Sequence, residues 1–455
     1  MAVRVESLSN GQLLYQRNSD KLVMPASNMK LVTMAVAAER LGWDYRFETD
    51  LDAYGDIRDS VLHGDLVVRG RGDPTIGSPD LTPPALFSDW AEALTRAGIH
   101  QVEGRLIADA RWFDRNGLGT GWAWDNLNAS YSAPSSALSY DENTVTIIVT
   151  PGKTADDPVS VAATAGQPYR LVNEMRAGTA GSSTVTIEHA LGSRDVVVRG
   201  FVAPGGKPVT RTIAADDPPL FFIGAMREAL AARGITVSGG LWNIEKVSHI
   251  GEEVLIDIAG SPLIEYAKSH KIDHHWSRPL SVIAGYFMKV SQNFYAETLL
   301  KALDIPAMAG VGTSATIRGG RAEVMKTLGT WGIPAGSVVM DDGSGLSRYD
   351  YVTADAIVAI LKHMWNDEKL RGPFTALLPV AGHDGTLDTR MRSTVLDAKV
   401  EAKTGTIANV RSLSGYLETR SGERIVFSMI ANNFTATSAA VDAVVEKALA
   451  RIAER

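Results

Sequence analysis

Pro25-Ala26-Ser27-Asn28-Met29-Lys30 stands at the start of the stretch that decides how this chain folds. Proline suits the first turn of a helix, and Gly42 closes a run of apolar residues at helical spacing, namely Leu31, Met34, Ala35, Ala38 and Leu41. The segment therefore predicts a core helix. A three-residue spacing puts the side chains of Ser27 and Lys30 on one face of its first turn.

The pair Ser27 and Lys30 has the chemistry of a nucleophile and its base. A serine hydroxyl is a poor nucleophile unless a base lies within hydrogen-bond reach, and a lysine can serve when partial burial and a nearby cation lower its pKa. The helix N-terminus adds positive potential where negative charge would develop. Because Ser-x-x-Lys is frequent by chance, and a surface lysine is the simpler interpretation, the pair is informative only beside other motifs.

Two further motifs follow in the second half of the chain. Ser291-Gln292-Asn293 lies within residues 280–304, which have the periodicity of a helix, and Lys403-Thr404-Gly405-Thr406 lies on a predicted strand. Gly405 would let another backbone or a ligand come close to that strand. With Gln292 in place of an aspartate, the three motifs stand in the order found in penicillin-recognising serine enzymes.

Patterns near both ends of the chain predict one α/β (α+β) domain, an antiparallel sheet flanked by helices. Residues 3–15 alternate around Asn10-Gly11 as a hairpin. Later strand-like and helical runs cover 395–403, 410–419, 424–431 and the amphipathic stretch 436–455. We assign residues 1–46 and 269–455 to this domain.

The sequence pattern of the region between these segments, residues 47–268, predicts a large, mainly β insertion. Short strand-like runs broken by Gly, Pro, Asp and Ser occur at 64–69, 145–150, 183–188 and 195–202. One clear helical stretch covers 220–233. A loop-rich segment near 151–158 predicts a boundary between two subdomains.

Composition and charge exclude several classes of function. The chain has 455 residues with 45 Lys and Arg against 52 Asp and Glu, and its net charge of -7 without a basic stripe argues against nucleic acid as a partner. No apolar run is long enough to cross a bilayer, and the start of the chain lacks the features of a signal peptide. Cysteine is absent, which excludes disulfides and thiolate chemistry.

Cofactors and metals are not expected either. The glycine-rich stretches complete neither a P-loop nor a dinucleotide fingerprint. His270 and His274 have the spacing of metal ligands, with His275 adjacent, but apart from Asp273 no third ligand stands out.

Together these motifs resemble a known family, the class C low-molecular-mass penicillin-binding proteins, which are D-alanyl-D-alanine carboxypeptidases and endopeptidases. Further stretches extend the resemblance along most of the chain: Gly70–Thr75, Asp342–Arg348, Asp384–Leu387 and Ser412–Tyr416. About 260 residues separate Ser27 from Ser291, and a large insertion between the first two motifs is a mark of this class. The resemblance implies a serine transpeptidase-like domain carrying an insertion of largely β structure.

The resemblance also implies a role for each motif residue. Ser27 would be acylated with Lys30 as its base, and Ser291 would relay a proton to the leaving amine. Asn293 would hold the substrate's peptide group. The terminal carboxylate would be bound by Lys403, Thr404 and Thr406, with Gly405 in the same substrate-binding strand. The backbone N–H groups of Ser27 and Thr406 would form the oxyanion hole.

A second site follows from Tyr140-Asp141-Glu142-Asn143, which resembles the stretch where relatives place an acidic residue over the cleft. Asp141, with Ser344 and Arg348, would meet the amino-acid end of a diaminopimelate-type side chain, since a carboxylate suits its ammonium group and a guanidinium its carboxylate. The alternative is that Asp141 is a turn residue. The implied partners are peptidoglycan stem peptides and β-lactams as covalent inhibitors, and the implied location is periplasmic or otherwise extracytoplasmic.

Two other functions compete with this interpretation. A β-lactamase shares the nucleophile but must hydrolyse its acyl-enzyme quickly, and the Glu-x-x-Leu-Asn stretch of class A enzymes is absent between Asn293 and Lys403. A non-catalytic β-lactam sensor or wall-peptide binder would be expected to carry a membrane span or to have lost a motif residue. The sequence does not separate carboxypeptidase from endopeptidase action, since both cut after D-alanine.

Overall fold

The computed structural model describes the whole chain except residues 79–85, 165, 167–168, 180, 182, 191, 245–268 and 306–313. The end of the expected insertion, residues 245–268, therefore lies outside the described residues. Within the described ranges, no helix is long and apolar enough to cross a membrane.

Helices and strands follow one another in an α+β arrangement, as predicted. The α-helices of the described residues are α1 (Met29–Arg40), α2 (Leu86–Arg96), α3 (Pro218–Ala232), α4 (Leu280–Val290), α5 (Asn293–Ala302), α6 (Ile317–Thr330), α7 (Ala354–Asn366), α8 (Glu368–Ala376) and α9 (Ser438–Ala453). Short 3-10 turns cover Ala26–Asn28, Trp124–Asn126, Ser130–Ser132, Asp141–Asn143 and Gly385–Leu387.

The strands of the described residues range from two to eleven residues in length. They are β1 (Ala2–Ser7), β2 (Leu13–Arg17), β3 (Glu48–Arg58), β4 (Val61–Gly70), β5 (Gln101–Val102), β6 (Leu106–Asp109), β7 (Thr144–Thr150), β8 (Ser160–Ala163), β9 (Arg170–Ala177), β10 (Thr184–His189), β11 (Asp195–Val202), β12 (Val209–Ala214), β13 (Thr236–Val237), β14 (Leu241–Asn243), β15 (Ser269–Trp276), β16 (Val338–Val339), β17 (Tyr351–Val352), β18 (Val400–Ile407), β19 (Val410–Glu418) and β20 (Arg424–Asn432).

The chain divides into two compact units. The first comprises Met1–Arg46, Leu118–Trp124 and Arg278–Arg455, and the second comprises Phe47–Gly117 and Asp125–Ser277. The division into a peptidase domain and an insertion stays a proposal. Nothing in the sequence pattern indicated that Leu118–Trp124 groups with the first unit.

The first unit is built on an antiparallel sheet with the strand order β18-β19-β20-β1-β2. Because successive side chains of a strand point to opposite faces, β19 and β20 contribute to two apolar layers. On one face, Leu417 and Phe427 belong to the same buried cluster as Leu449 of α9. On the other, the Tyr416 hydroxyl donates to the carbonyl oxygen of Leu361 in α7 over 2.8 Å.

The predicted single helix over 280–304 is wrong. Ser291 adopts a left-handed conformation with φ of 66°, and this residue ends α4. The N–H groups of Ser291 and Gln292 both donate to the carbonyl oxygen of Phe287, and the chain then restarts as α5 at Asn293. The second motif thus stands at a break between two helices rather than in the middle of one.

A small two-stranded sheet positions another motif. Strands β16 and β17 pair in antiparallel register, Val338 with Val352 and Val339 with Tyr351, and they enclose the loop 340–350. Val352 also forms a bridge with Val23, shortly before the first motif. The segment Asp342–Arg348 is thereby tied to the chain that leads into α1.

The second unit contains a sheet in the order β13-β5-β4-β3-β15, to which β6 and β14 add, and two three-stranded sheets, β12-β7-β8 and β10-β11-β9. Alternate residues of β7 point into a shared core, where Val145 and Ile147 are buried together with Val196 and Val198 of β11 and Phe221 of α3. Strands β7 and β8 pair with each other, so the loop near 151–158 lies within one sheet.

Two other local predictions are wrong. The region 47–268 contains a second helix, α2, whose buried Trp90 and Leu94 lie four residues apart, and this spacing was the overlooked signal. The strand predicted over 395–403 begins only at Val400, because Ser393 and Ala398 adopt positive φ and the preceding residues form turns.

Candidate active site

Ser27 lies in the 3-10 turn that leads into α1. Ala26, directly before it, has φ of 47°, a strained conformation for a residue that is not glycine. The turn is held from two sides. Asn28 Nδ2 donates to the carbonyl oxygen of Lys403 over 2.8 Å, and Gly345 passes so close that a Cβ there would lie 1.8 Å from the carbonyl oxygen of Ala26. Packing thus fixes the backbone around Ser27.

Lys30 is the centre of the site. Its side chain is fully buried, and its Nζ donates to Ser27 Oγ over 3.0 Å, to Asn293 Oδ1 over 2.6 Å and to the carbonyl oxygen of Ser344 over 2.9 Å. The amine therefore contacts the candidate nucleophile while two further acceptors hold it in place.

Burial lowers the pKa of Lys30 to about 8, although the nearby carboxyls of Asp342, Glu297 and Asp350 act in the opposite direction. An amine with such a pKa is neutral in a useful fraction of molecules near neutral pH, so it can accept a proton from a hydroxyl. Burial of the amine, one of the two causes that the sequence suggested, is what lowers the pKa.

The second and third motifs meet in one hydrogen bond. Lys403 Nζ, on β18, donates to Ser291 Oγ over 2.7 Å and to the carbonyl oxygen of Thr404 over 3.1 Å. Lys403 is fully buried, and its pKa lies well below the usual value because of burial and of the charge of Lys30. Ser291 is exposed to solvent in part, since it occupies the break between α4 and α5.

Gly405 lets β18 run directly beside the first motif. A Cβ at this position would lie 2.2 Å from Ser412 Oγ, 2.8 Å from the carbonyl oxygen of Pro25 and 2.9 Å from the backbone nitrogen of Ser27. No larger residue fits without moving the strand. Ser412 strengthens the same approach, because its Oγ donates to the carbonyl oxygen of Pro25 over 2.7 Å.

The threonines of the third motif have partners that the sequence did not predict. Thr404 Oγ1 and Thr386 Oγ1 share a hydrogen bond of 2.7 Å. The guanidinium of Arg411 donates to Thr406 Oγ1, and Arg411 also pairs with Asp442. Thr406 is exposed, so its hydroxyl proton can be donated to a ligand. The cross-strand position of Arg411 opposite Thr406 was a signal for this contact.

Ser344 and Arg348 lie in the loop between β16 and β17. Ser344 is fully buried, and its Oγ accepts a hydrogen bond from the N–H of Leu346 over 3.3 Å. Arg348 is half-buried, and its guanidinium donates to the carbonyl oxygen of Ala408 over 3.2 Å. The contact that Ser344 makes with the motif residues is through its carbonyl oxygen to Lys30.

Asp141 belongs to the second unit, in the 3-10 turn Asp141–Asn143. It is partly buried, has φ of 48°, and its N–H donates to the carbonyl oxygen of Ile76 over 2.9 Å. Burial and the adjacent Glu142 raise the pKa of Asp141 to about 6. Its role in ligand recognition stays a prediction.

Two buried carboxyls beneath the first motif were not assigned from the sequence. Glu297 accepts from the N–H groups of Gly343 and Ser344, and Asp342 accepts from Trp122 Nε1 among other donors. The signal for Glu297 was an acidic residue four positions after Asn293, within a helix that is otherwise largely apolar.

The described residues contain no group of His, Asp or Glu side chains arranged to hold a metal ion. His270 and His274 lie on the strand β15, and His274 Nδ1 is 2.6 Å from Asp50 Oδ1. The two histidines with the spacing of metal ligands are thus residues of a strand in the second unit, not of a helix.

Known proteins resemble this chain over nearly its whole length. A D-alanyl-D-alanine carboxypeptidase of Actinomadura sp. (strain R39) is 34% identical over 94% of this chain and 77% of its own length, and the D-alanyl-D-alanine carboxypeptidase DacB of Haemophilus influenzae is 26% identical over 94% and 85%. The crystal structure of penicillin binding protein 4 (dacB) from Haemophilus influenzae covers 100% of this chain and 96% of its own with a TM-score of 0.83 at 24% identity, which confirms the predicted fold. The D-Ala-D-Ala carboxypeptidase 3 (S13) family matches residues 1–455, and the chain belongs to that family.

Proposed function

We propose that this protein is a serine DD-peptidase that hydrolyses peptidoglycan stem peptides after D-alanine through an acyl-enzyme on Ser27. One observation carries the proposal: the buried amine of Lys30, with a pKa lowered to about 8, lies 3.0 Å from Ser27 Oγ. A serine and a partly neutral lysine at this distance form a nucleophile with its base.

Acylation begins when Lys30 Nζ takes the proton of Ser27 Oγ and the oxygen attacks the carbonyl carbon of the penultimate D-alanine. A C–O bond forms and the carbonyl electrons move to the oxygen. The backbone N–H groups of Ser27 and Thr406 are the proposed donors to that oxyanion, and the close approach of β18 at Gly405 supports this pairing.

Breakdown of the tetrahedral intermediate requires a proton on the leaving nitrogen. Ser291 is the proposed relay: as the C–N bond breaks, its Oγ gives a proton to the departing amine and is resupplied with the proton that Lys30 removed from Ser27, so Lys30 returns to its neutral form. The bond from Lys403 Nζ to Ser291 Oγ supports this role because it orients the hydroxyl. Water then attacks the ester, and the same groups act in reverse.

Substrate binding is assigned to the third motif and to Asn293. Lys403, Thr404 and Thr406 would receive the carboxylate next to the scissile bond, which carries a negative charge in both a D-Ala-D-Ala end and a D-Ala-diaminopimelate cross-link. Asn293, whose Oδ1 accepts from Lys30, would use its amide group to hold the peptide of the acyl side.

Asp141 and Arg348 are proposed to determine the specificity for the side chain of the stem peptide. A carboxylate and a guanidinium match the ammonium and carboxylate groups at the end of a diaminopimelate-type side chain. The hydroxyl of Ser344 is buried and accepts a hydrogen bond from the N–H of Leu346 in its own loop. The assignment of Ser344 to this site therefore rests on the family resemblance alone. A protein that acts on peptidoglycan would be located outside the cytoplasm.

β-Lactams are proposed to acylate Ser27 as well, because the strained ring presents an amide to the same nucleophile and its opened product stays attached. A β-lactamase would need a base for rapid deacylation. Membership of a carboxypeptidase family favours the peptidase.

Digestion of purified muropeptides tests the proposed function. Loss of a terminal D-alanine from pentapeptides identifies carboxypeptidase action, and conversion of cross-linked dimers to monomers identifies endopeptidase action, both read as product masses. We expect at least one of the two from the wild-type protein and neither from Ser27→Ala. Absence of both products with the wild-type protein, while added penicillin is hydrolysed with turnover, would favour the β-lactamase instead.

A further inference from the structure

Lys30 Nζ donates to two side chains of the catalytic motifs and to one backbone carbonyl oxygen. Ser27 Oγ and Asn293 Oδ1 come from the first and second motifs, whereas the acceptor at 2.9 Å is the backbone carbonyl oxygen of Ser344. The position of the amine therefore depends on what holds the peptide that carries this carbonyl.

Two buried carboxyls, those of Glu297 and Asp342, accept hydrogen bonds from the backbone that leads to this carbonyl. Glu297 Oε2 accepts from the N–H of Gly343 over 3.0 Å, and its Oε1 accepts from the N–H of Ser344 over 2.9 Å. Asp342 Oδ1 also accepts from Ser344, over 3.0 Å. The hydroxyl of Thr33 fixes the other side of the segment by donating to the carbonyl oxygen of Gly343 over 2.7 Å.

The carboxylate of Asp342 accepts several further hydrogen bonds. Besides the N–H of Ser344, its Oδ1 accepts from the N–H of Gly345 over 2.6 Å, and its Oδ2 accepts from the N–H of Ser347 over 2.6 Å and from Trp122 Nε1 over 2.7 Å. Asp342 is fully buried. A carboxylate surrounded by N–H donors is stabilised in its charged form, so Asp342 is the group of this cluster suited to carry a negative charge.

The other acids nearby are less suited to that task. Burial and the charge of Asp342 raise the pKa of Glu297 to about 8, and they raise the pKa of Asp350 well above its usual value. Like charges in one buried site do not all ionise together. The charges of these three acids act on Lys30, and burial together with the charge of Lys30 in turn holds the pKa of Lys403 well below its usual value.

We infer that Asp342 is a positioning residue for Lys30, which keeps the Ser344 carbonyl on the amine and supplies the buried negative charge that tunes its basicity. The inference rests on the proposed role of Lys30 as the base. Glu297 shares the work of holding the backbone. Asp342 acts through the loop and need not touch the substrate.

The test is the pH profile of acylation, measured for the full chain by single-turnover mixing with a fluorescent penicillin between pH 6 and pH 10. Asp342→Asn removes the charge and keeps the shape. We expect the midpoint of the rise in rate to move to lower pH by about one unit, because loss of a nearby negative charge favours the neutral amine. The plateau at high pH should fall about 10-fold or more, since the amine is less basic and less well held.

Thr33→Val is the matched control, because it removes a buried hydrogen bond to the same segment without changing any charge. It should lower the plateau and leave the midpoint where it is in the wild type. An Asp342→Asn profile with an unmoved midpoint would overturn the inference, since a merely structural residue lowers the plateau alone.

Glu297→Gln covers the case in which Asp342→Asn does not fold. With a pKa of about 8, Glu297 is only partly ionised over this pH range, so its removal should move the midpoint to lower pH by clearly less than one unit. A shift of one unit or more would place the controlling charge on Glu297 instead of Asp342 and overturn the inference. A wild-type protein that shows no acylation, or a flat profile, would instead contradict the proposed function, so the two failures are distinguishable.

Discussion

Lys403 Nζ donates to Ser291 Oγ over 2.7 Å, and this hydrogen bond joins a strand of the antiparallel sheet to the break between two helices. Near it, Lys30 Nζ donates both to Asn293 of the second motif and to Ser27 of the first. The three motifs, which are far apart in the sequence, thus meet in one set of side chains. Each member of the set can be tested separately by substitution.

Removal of the Ser291 hydroxyl should slow the transfer of a proton to the leaving amine. We expect Ser291→Ala to lower kcat/KM for a D-Ala-D-Ala peptide by about 10²- to 10⁴-fold, the range for loss of a general acid or base. Gln292→Asp is the control, because it changes the neighbouring side chain and keeps the Ser291 hydroxyl, and its activity should stay within a few-fold of the wild type. Comparable losses in both variants would argue against a relay through Ser291.

Acylation by a penicillin should become faster as the pH rises. The acting form of Lys30 is the neutral amine, and burial lowers its pKa to about 8. At one unit below the pKa about one molecule in ten has the neutral amine, so the rate at pH 7 should be roughly a tenth of the plateau. Single-turnover mixing from pH 6 to pH 9 measures this. A flat profile with chemistry shown to be rate-limiting would exclude Lys30 as the base.

Gly405→Ala should displace β18 from Ser27. The added methyl group would lie 2.2 Å from Ser412 Oγ and 2.9 Å from the Ser27 nitrogen. We expect a loss of stability of about 1–3 kcal/mol and a fall in acylation rate of about 100-fold.

Gly329→Ala is the matched control for this substitution. Gly329 lies in helix α6, and a methyl group added there would have nothing within 4 Å. Alanine at this position should leave acylation unchanged and raise stability by up to about 1 kcal/mol. Chemical denaturation and the acylation assay check both variants, and normal acylation by Gly405→Ala would show that the close approach is not needed.

Asp141→Asn should change side-chain preference and spare the reaction itself. A hydrogen bond to a charged group is worth about 1.5–3 kcal/mol, so kcat/KM for peptides with a free amino group on the side chain should fall by roughly 10- to 150-fold. Acylation by simple penicillins should hardly change. Because the pKa of Asp141 is raised to about 6, the wild-type preference should also fade as the pH drops below 6. Glu142→Gln is the neighbouring control, and equal losses for peptides and penicillins would assign Asp141 a structural or catalytic role.

Short-range patterns in the sequence were enough for part of this fold. The helix that begins near Pro25 follows from apolar spacing and a closing glycine, and the hairpin around Asn10-Gly11 follows from alternation and turn chemistry. The break at Ser291 did not follow, because a serine in a left-handed conformation has no local signature, and the surrounding residues have helical periodicity on both sides.

The parts of the site that sequence reasoning missed depend on long-range contacts. Glu297 and Asp342 act on the same backbone segment from different elements, and Trp122 reaches Asp342 from a position 220 residues earlier in the chain. No spacing rule connects such residues. The only signal for Glu297 was an acidic side chain among largely apolar neighbours, which is rare unless the acid is paired, whereas Asp342 lies between Asp341 and Gly343 and has no such signal.

Covalent labelling of Ser27 tests the central claim most directly. The protein is incubated with benzylpenicillin, and the intact mass is measured for the wild type and for Ser27→Ala, followed by peptide mapping of the adduct. The account predicts one penicilloyl group on the wild-type protein, located at Ser27, and none on the variant. Equal adducts on both proteins, or an adduct mapped to another residue, would contradict it.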